Sequence, residues 1–320
     1  MNRKILKLRF KPVFILAVAV LVGVLVNACA KIDIAPHLRP ISKQSLMLLG
    51  KKGMTASAPI FVRIFKQESE LEVWKQRSDG RFHLFRTYPI CNWSGDLGPK
   101  HRQGDKQSPE GFYTVAKWQM NPNSSFHLSF NLGYPNAYDK VHGRTGNFLM
   151  VHGKCRSAGC YAMTDALIEE IYALAREAFA GGQKKFHVHS LPFRMTDENL
   201  KRRKKNKNYR FWQQLKQGYD YFELTHLPPK VVVCQRRYMV NVEWNGGKLN
   251  PAGYCPRFRR GIVDPFIPSP PPSSQRAGLT RSDTIGSTLD RSTMSGLTRD
   301  PRPSSDPIGD ILQRINSKLN

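Results

Sequence analysis

Between Pro59 and Gly153 the chain alternates apolar and polar positions in short runs, broken by Gly, Pro and Asn. A two-residue period is that of a strand with one buried face. "PIFVRIFKQ" opens the series, and "LEVWKQ" and "RFHLFRTYPI" follow, joined by "RSDG". Asp79-Gly80 therefore predicts a β-hairpin turn, with Leu71, Val73, Phe82 and Leu84 on a shared face. "SPEGFYTVAKWQ" predicts a turn and then a strand, "FHLSFNL" another, and "GNFLMVHG" a buried strand that ends at His152. The pattern is that of a mainly-β sandwich or barrel.

The period changes after the cysteines that follow His152. "TDALIEEIYALAREAFAGG" places Leu167, Ile168, Ile171, Leu174 and Ala175 at helical spacing, with Thr164 or Asp165 as N-cap and Gly181 as stop. "KKFHVHSLPFRMT" returns as a strand. "TDENLKRRKKNKNYRFWQQLKQGYDYFELTH" predicts one capped helix whose middle carries the basic run Lys201 to Lys207 as a solvated face. Its Tyr209, Trp212, Leu215 and Tyr219 are expected to pack on the body. Beyond Phe266 a Pro/Ser/Thr-rich composition predicts a tail that cannot order itself. The expected organisation is an export signal over 1–30, a linker over 31–58, a β-rich core over 59–196, a basic helical and strand extension over 197–262 and the tail over 263–320.

The first residues, "MNRKILKLRFKPVF", carry basic charge ahead of an uncharged apolar run from Val13 to Val26 and the small-residue stretch "VNACA". That is the layout of a secretory signal, either cleaved at Ala28-Cys29-Ala30 or lipidated at Cys29. The apolar run is short for a bilayer span, so membrane contact is expected only through the signal or a lipid. A net charge of +26 would otherwise point to nucleic acid. Export removes that partner and substitutes anionic envelope surfaces, the carboxylates of the cell wall among them. Six cysteines allow up to three disulfides in an oxidising compartment, but their irregular spacing sets no framework. Cys234 and Cys255 are a candidate pair, and Cys91 reads as a small buried hydrophobe.

"VHGKCRSAGCYAMTD", Val151 to Asp165, concentrates the candidate chemistry. As a metal site it offers His152, Cys155 and Cys160, with Cys91 or His142 as a fourth ligand, but it lacks paired cysteine knuckles. A Cys155 to Cys160 disulfide fits the separation and would silence both thiols. A nucleophile needs a thiol, a base and oxyanion donors. Cys160 follows Gly159 and lies ahead of a helix whose N-terminal field favours a thiolate, while His152 ends a buried strand.

These residues resemble the L,D-transpeptidase catalytic domain of YkuD type. The match is "HG…S-x-G-C" at His152, Gly153, Ser157, Gly159 and Cys160, preceded by "SPEGFYTV" at Ser108 to Val115. It covers roughly residues 59–196, in the compact branch with "VHG-x-C-x-S-x-G-C-Y-A-M-T". The resemblance implies an exported, mainly-β enzyme with a helix after the catalytic loop, no cofactor, and peptidoglycan stem peptides as partners. Cys160 would be the nucleophile, His152 its base, Gly153 the carbonyl that orients the imidazole, and the Gly159 and Cys160 amides the oxyanion hole. Ser157 would belong to the substrate site. Ala158 stands where the family commonly has a second histidine, for which His142 is the nearest substitute. The family's Arg after the nucleophile is absent, leaving Arg156 or Arg144 to meet a carboxylate. The acceptor would be a stem amine, making a 3-3 cross-link, or a lysine of an envelope protein. The alternatives are water, an inactive wall-binding protein, or a redox switch between Cys155 and Cys160 superimposed on catalysis. Trp118, Tyr134 and Tyr138 are read as core, and "NLGYPNAYDKVHGRTG" as a wall of the site.

Overall fold

A computed structural model describes residues 34–261 and 263–266. The expected signal over 1–30 and almost all of the 263–320 tail lie outside the described residues. Helix α1 (Lys43–Lys51) is capped by Ser42 Oγ, which accepts the Ser45 N–H at 3.1 Å. It falls inside the stretch expected as a linker, and Ile41, Leu49 and Met54 from this stretch are buried. Its apolar residues Leu46 to Leu49 are consecutive and show no helical spacing, yet Leu48 and Leu49, with Ile41 and Met54, dock the helix on the core.

The body then runs β1 (Ile60–Phe65), β2 (Glu70–Gln76), β3 (Phe82–Pro89), β4 (Asn92–Trp93), β5 (Gly111–Ala116), β6 (Met120–Ser124), β7 (His127–Asn131), α2 (Ala137–Val141), β8 (Met150–His152), β9 (Tyr161–Ala162), α3 (Asp165–Ala180) and β10 (Lys185–Leu191). Two five-stranded sheets result, ordered β3-β2-β1-β10-β5 and β4-β9-β8-β7-β6. Ile60, Val62, Ile64, Leu71, Val73, Val115 and Val188 of the first sheet meet Leu128, Phe130, Val151 and Tyr161 of the second. Ile168, Ile171 and Leu174 of α3 close this core. The fold is therefore mainly β, as the alternation predicts. The hairpin face needs correction: Leu84 lies opposite Trp74 and Phe82 opposite Gln76, after a bulge at Val73/Trp74. Leu71 and Val73 enter the main core, whereas Phe82 and Leu84 join Phe61, Trp74 and Phe222 on the other side of the sheet.

That other side is covered by the extension. It comprises α4 (Asp197–Lys201), α5 (Tyr209–Thr225) and the hairpins β11 (Val231–Cys234) with β12 (Arg237–Val240) and β13 (Val242–Trp244) with β14 (Phe258–Arg260). The expected single helix is broken between Lys201 and Tyr209, because like charges three and four positions apart on one helix repel. Arg203 turns back instead onto Gln67 and the Phe193 ring. Phe211, Trp212, Leu215, Tyr219 and Phe222 of α5 form the buried stripe. This cover explains why every residue of β1 is buried, Arg63 included. Arg63 bonds Glu72 at 2.8 Å and Glu223, with its guanidinium over the Trp74 and Phe222 rings. Cys234 and Cys255 are joined, as their placement suggested, and tie the end of β11 to the segment before β14.

One buried ion pair links these parts. Lys66 Nζ and Glu110 Oε1 are 3.1 Å apart, and both side chains are fully enclosed. The ammonium also donates to the carbonyls of Asp96 (2.7 Å), Gly98 (3.1 Å) and Ser108 (3.1 Å). The carboxylate accepts the Gly98 N–H (2.6 Å) and the Trp212 indole N–H (2.9 Å). Removing one partner of such a pair costs about 3–5 kcal/mol. Lys66→Met is expected to lose that much in urea unfolding followed by circular dichroism, and adding Glu110→Leu should restore part of it. Unchanged stability of Lys66→Met would show that the pair is not a structural node.

Candidate active site

Register alone brings the two central residues together. β8 and β9 are parallel neighbours, with Val151 opposite Tyr161 and His152 opposite Ala162. Val151 and Tyr161 point into the core, so Met150, His152 and Cys160 belong to the opposite face. Cys160 is then the diagonal neighbour of His152, on the order of 7 Å away between Cβ atoms. Its Sγ accepts the Met150 N–H at 3.4 Å and directs its own proton toward the Phe148 carbonyl at 3.6 Å.

His152 is buried, and its Nδ1 lies 2.5 Å from the Gly153 carbonyl. A carbonyl only accepts, so Nδ1 carries the proton and Nε2 is left as the basic nitrogen. Gly153 can have no side chain: a Cβ there would stand 2.5 Å from Asp165 Oδ1 and 3.0 Å from the Phe126 carbonyl. Gly159 is required for a different reason, its φ of +125°.

The loop between them is built from hydroxyls and a disulfide. Ser157 Oγ donates to the Cys160 carbonyl at 2.8 Å and accepts the Gly159 N–H at 3.2 Å. Ser157 thus braces the loop from within rather than facing a substrate, and the Gly159 N–H expected in an oxyanion hole is engaged. Ser108 Oγ also donates to the Cys160 carbonyl, at 3.1 Å. Pro109, next in "SPEG", offers its carbonyl to Tyr161 OH and Ser190 Oγ, both at 2.7 Å. Cys155 is bonded to Cys91, and Cys160 is the free cysteine among the described residues. This rules out the alternative Cys155 to Cys160 bridge and the redox switch built on it, and corrects the reading of Cys91 as a buried hydrophobe. The same bond removes Cys155 from any metal set, and no group of three His, Cys, Asp or Glu among the described residues is placed to hold a metal.

The proposed carboxylate contacts divide. Arg144 is buried, bonded to Asp139 at 2.7 Å and lying over the Tyr138 and Phe211 rings, so its charge is spent inside the protein. His142 bonds the Arg236 carbonyl at 2.8 Å and lies tilted against the Tyr138 ring, which commits it to the extension rather than to a second-histidine role. Arg156 is exposed. Lys100 is a charge that sequence reasoning missed: it is near enough to Cys160 to favour the thiolate, and it is held by Asp105 and the Arg102 carbonyl. The stretch 131–146, expected as a wall of the site, carries α2, and its Thr145 N–H reaches the His101 carbonyl at 3.0 Å. Within it Tyr134 and Tyr138 are core residues, whereas Trp118 is 82 % exposed.

Burial pushes the Cys160 thiol up, against weaker opposite effects of the Met150 N–H and Lys100. Burial likewise lowers His152, partly offset by the Gly153 carbonyl. β9 and the Thr164 cap intervene between Cys160 and α3, so the helix field expected to favour a thiolate falls off before reaching it.

A profile of the "L,D-transpeptidase catalytic domain" (YkuD) matches residues 62–181. The protein named "Putative L,D-transpeptidase YafK" of Escherichia coli strain K12 is 46% identical over 202 residues, covering 63% of this chain and 79% of that protein. The chain belongs to the YkuD L,D-transpeptidase family. The YafK of Escherichia coli O157:H7 matches to the same extent. Among solved structures, the helical cell shape determining protein Pgp2 of Campylobacter jejuni aligns at a TM-score of 0.34 and 20% identity, covering 60% of this chain and 80% of that one. Bd1075 of Bdellovibrio bacteriovorus aligns at 0.28 and 21%, covering 52% and 61%. The family places the chain among peptidoglycan-related transpeptidases.

A raised thiol and a lowered imidazole are both neutral near pH 7, so the resting pair is thiol and imidazole rather than thiolate and imidazolium. Alkylation of Cys160 by iodoacetamide is therefore expected to climb about tenfold per pH unit from pH 7 to beyond 9. A rate plateau already reached at pH 6 to 7 would show a preformed ion pair instead.

Proposed function

We propose that this chain is an exported cysteine acyltransferase acting on peptidoglycan stem peptides. The observation that carries this is the shared face of Cys160 and His152, with Nε2 of the imidazole left as the basic nitrogen. Cys160 Sγ attacks the carbonyl joining the third stem residue to the terminal D-Ala while His152 Nε2 takes the thiol proton. The Cys160 N–H is the oxyanion donor, since Ser157 engages that of Gly159. Collapse breaks the amide bond, and His152 returns the proton to the departing D-Ala amine. A thioester remains on Cys160. An incoming amine, from another stem or a protein lysine, gives up its proton to His152 and takes the acyl group, which regenerates the thiol. The exposed Arg156 favours a substrate rich in carboxylates. The two disulfides, Cys91–Cys155 and Cys234–Cys255, support an oxidising compartment.

Water is a second acceptor with an observation in its favour. The loop 153–159 is fastened by the Cys91–Cys155 bond and by the Lys154 N–H to Asp165 Oδ1 at 2.8 Å. A loop held there leaves the thioester open, which suits hydrolysis or a bulky protein partner.

Intact-protein mass spectrometry after mixing with disaccharide-tetrapeptide tests the reading. Wild type is expected to gain an acyl group lacking D-Ala, and Cys160→Ala to gain nothing. His152→Ala should acylate about 10²–10⁴-fold more slowly. No adduct and no released D-Ala from wild type would overturn the acyltransferase and favour a wall-binding protein.

A further inference from the structure

Two phenylalanines at the site are left in water while their backbones are engaged by the catalytic face. The Phe126 carbonyl accepts the Gly153 N–H at 3.0 Å, yet its ring is 42 % exposed and tilted against the His152 imidazole at 4.6 Å between centroids. The Phe148 carbonyl receives the Cys160 thiol proton, yet its ring is 67 % exposed and its φ is +52°. A bulky side chain in left-handed backbone is a strained choice, and strain of this kind gathers at functional sites. Neither ring joins a core cluster. Phe148 precedes β8, and Phe126 bonds Gly153 just beyond its other end, so the two residues bracket the strand lengthwise, with Phe148 and His152 on the order of 13 Å apart.

The bracket is asymmetric. One ring lies at the imidazole that exchanges a proton with an amine, and the other belongs to the residue whose carbonyl faces the sulfur that carries the acyl group. The geometry points to Phe126 as the specificity-determining wall for the methylene chain of an amine-bearing side chain, of lysine or diaminopimelate type, with Phe148 marking the acyl end. The assignment deepens the acyl-transfer reading and rests on it for the identity of the amine. An aliphatic chain laid on the Phe126 ring leaves water, and the amine at its tip is partly desolvated next to Nε2. Desolvation disfavours the ammonium form, which is the form that cannot attack a thioester. Phe126 thus selects chains long enough to cross its ring and helps to present them deprotonated.

Protection of Cys160 from iodoacetamide tests this without turnover. The probes are Nα-acetylated diamino acids whose side chains run from one methylene to four, and protection is taken as the ratio of rates with and without probe within each protein. In wild type, affinity is expected to rise about twofold per methylene, as for a chain half covered by an apolar wall. In Phe126→Ala the gradient should vanish, in Phe126→Leu it should be partly kept, and in Phe148→Ala it should persist. An undiminished gradient in Phe126→Ala, or no protection of wild type by any probe, overturns the assignment. Because no acyl group is transferred, a gradient seen in a protein that forms no adduct with tetrapeptide would separate failure of the acyltransferase reading from failure of this one.

Discussion

The enclosed pair of Lys66 and Glu110 is the constraint from which the site's geometry follows. Two charges in a medium that cannot solvate them must satisfy every lone pair and proton nearby. The carbonyls of Asp96, Gly98 and Ser108 and the indole of Trp212 are drawn in to do so. Ser108 is thereby fixed, and its hydroxyl holds the Cys160 carbonyl. The backbone at Cys160, already placed by the β8–β9 register, is thereby also tied through hydrogen bonds to an ion pair at the end of β1.

The electrostatic character of the site follows from the same enclosure. A thiol and an imidazole that share a mostly buried face both avoid charge, so in the proposed reaction the proton moves only when a carbonyl arrives to accept the developing negative charge. This protects a solvent-adjacent cysteine, because the neutral thiol is a poor nucleophile towards oxidants. Lys100 tempers this by keeping a positive charge within reach.

What could be read from the chain was what is local in it. His152, Gly159 and Cys160 announce themselves because the loop that joins them is short and its residue types serve one chemistry. The strand alternation and the stripe of α3 were legible for the same reason. Helix α1 was not, because its consecutive apolar positions gain meaning only from the core they meet. The partner of Cys155 was not, because Cys91 is brought to it by β4 pairing with β9, two-residue strands too brief to show a period. Lys66, Glu110 and Arg63 were passed over since charged residues in a strand ordinarily face water. Their burial depends on α5, and the break in the helix before it arises from repulsion within a run that a propensity reading accepts as helical.

The cover that α5 lays over the first sheet carries a consequence for where the folding unit ends. The family match stops at residue 181, but Phe61, Arg63, Phe65, Trp74 and Phe112 of that sheet find apolar partners in residues 211 to 222. Cut at the edge of that match, the protein would lose β10 from the middle of this sheet together with the helix that covers its aromatic side. Its cooperative boundary therefore lies at least a helix beyond the edge of the family profile, and that profile by itself underestimates the minimal chain able to fold.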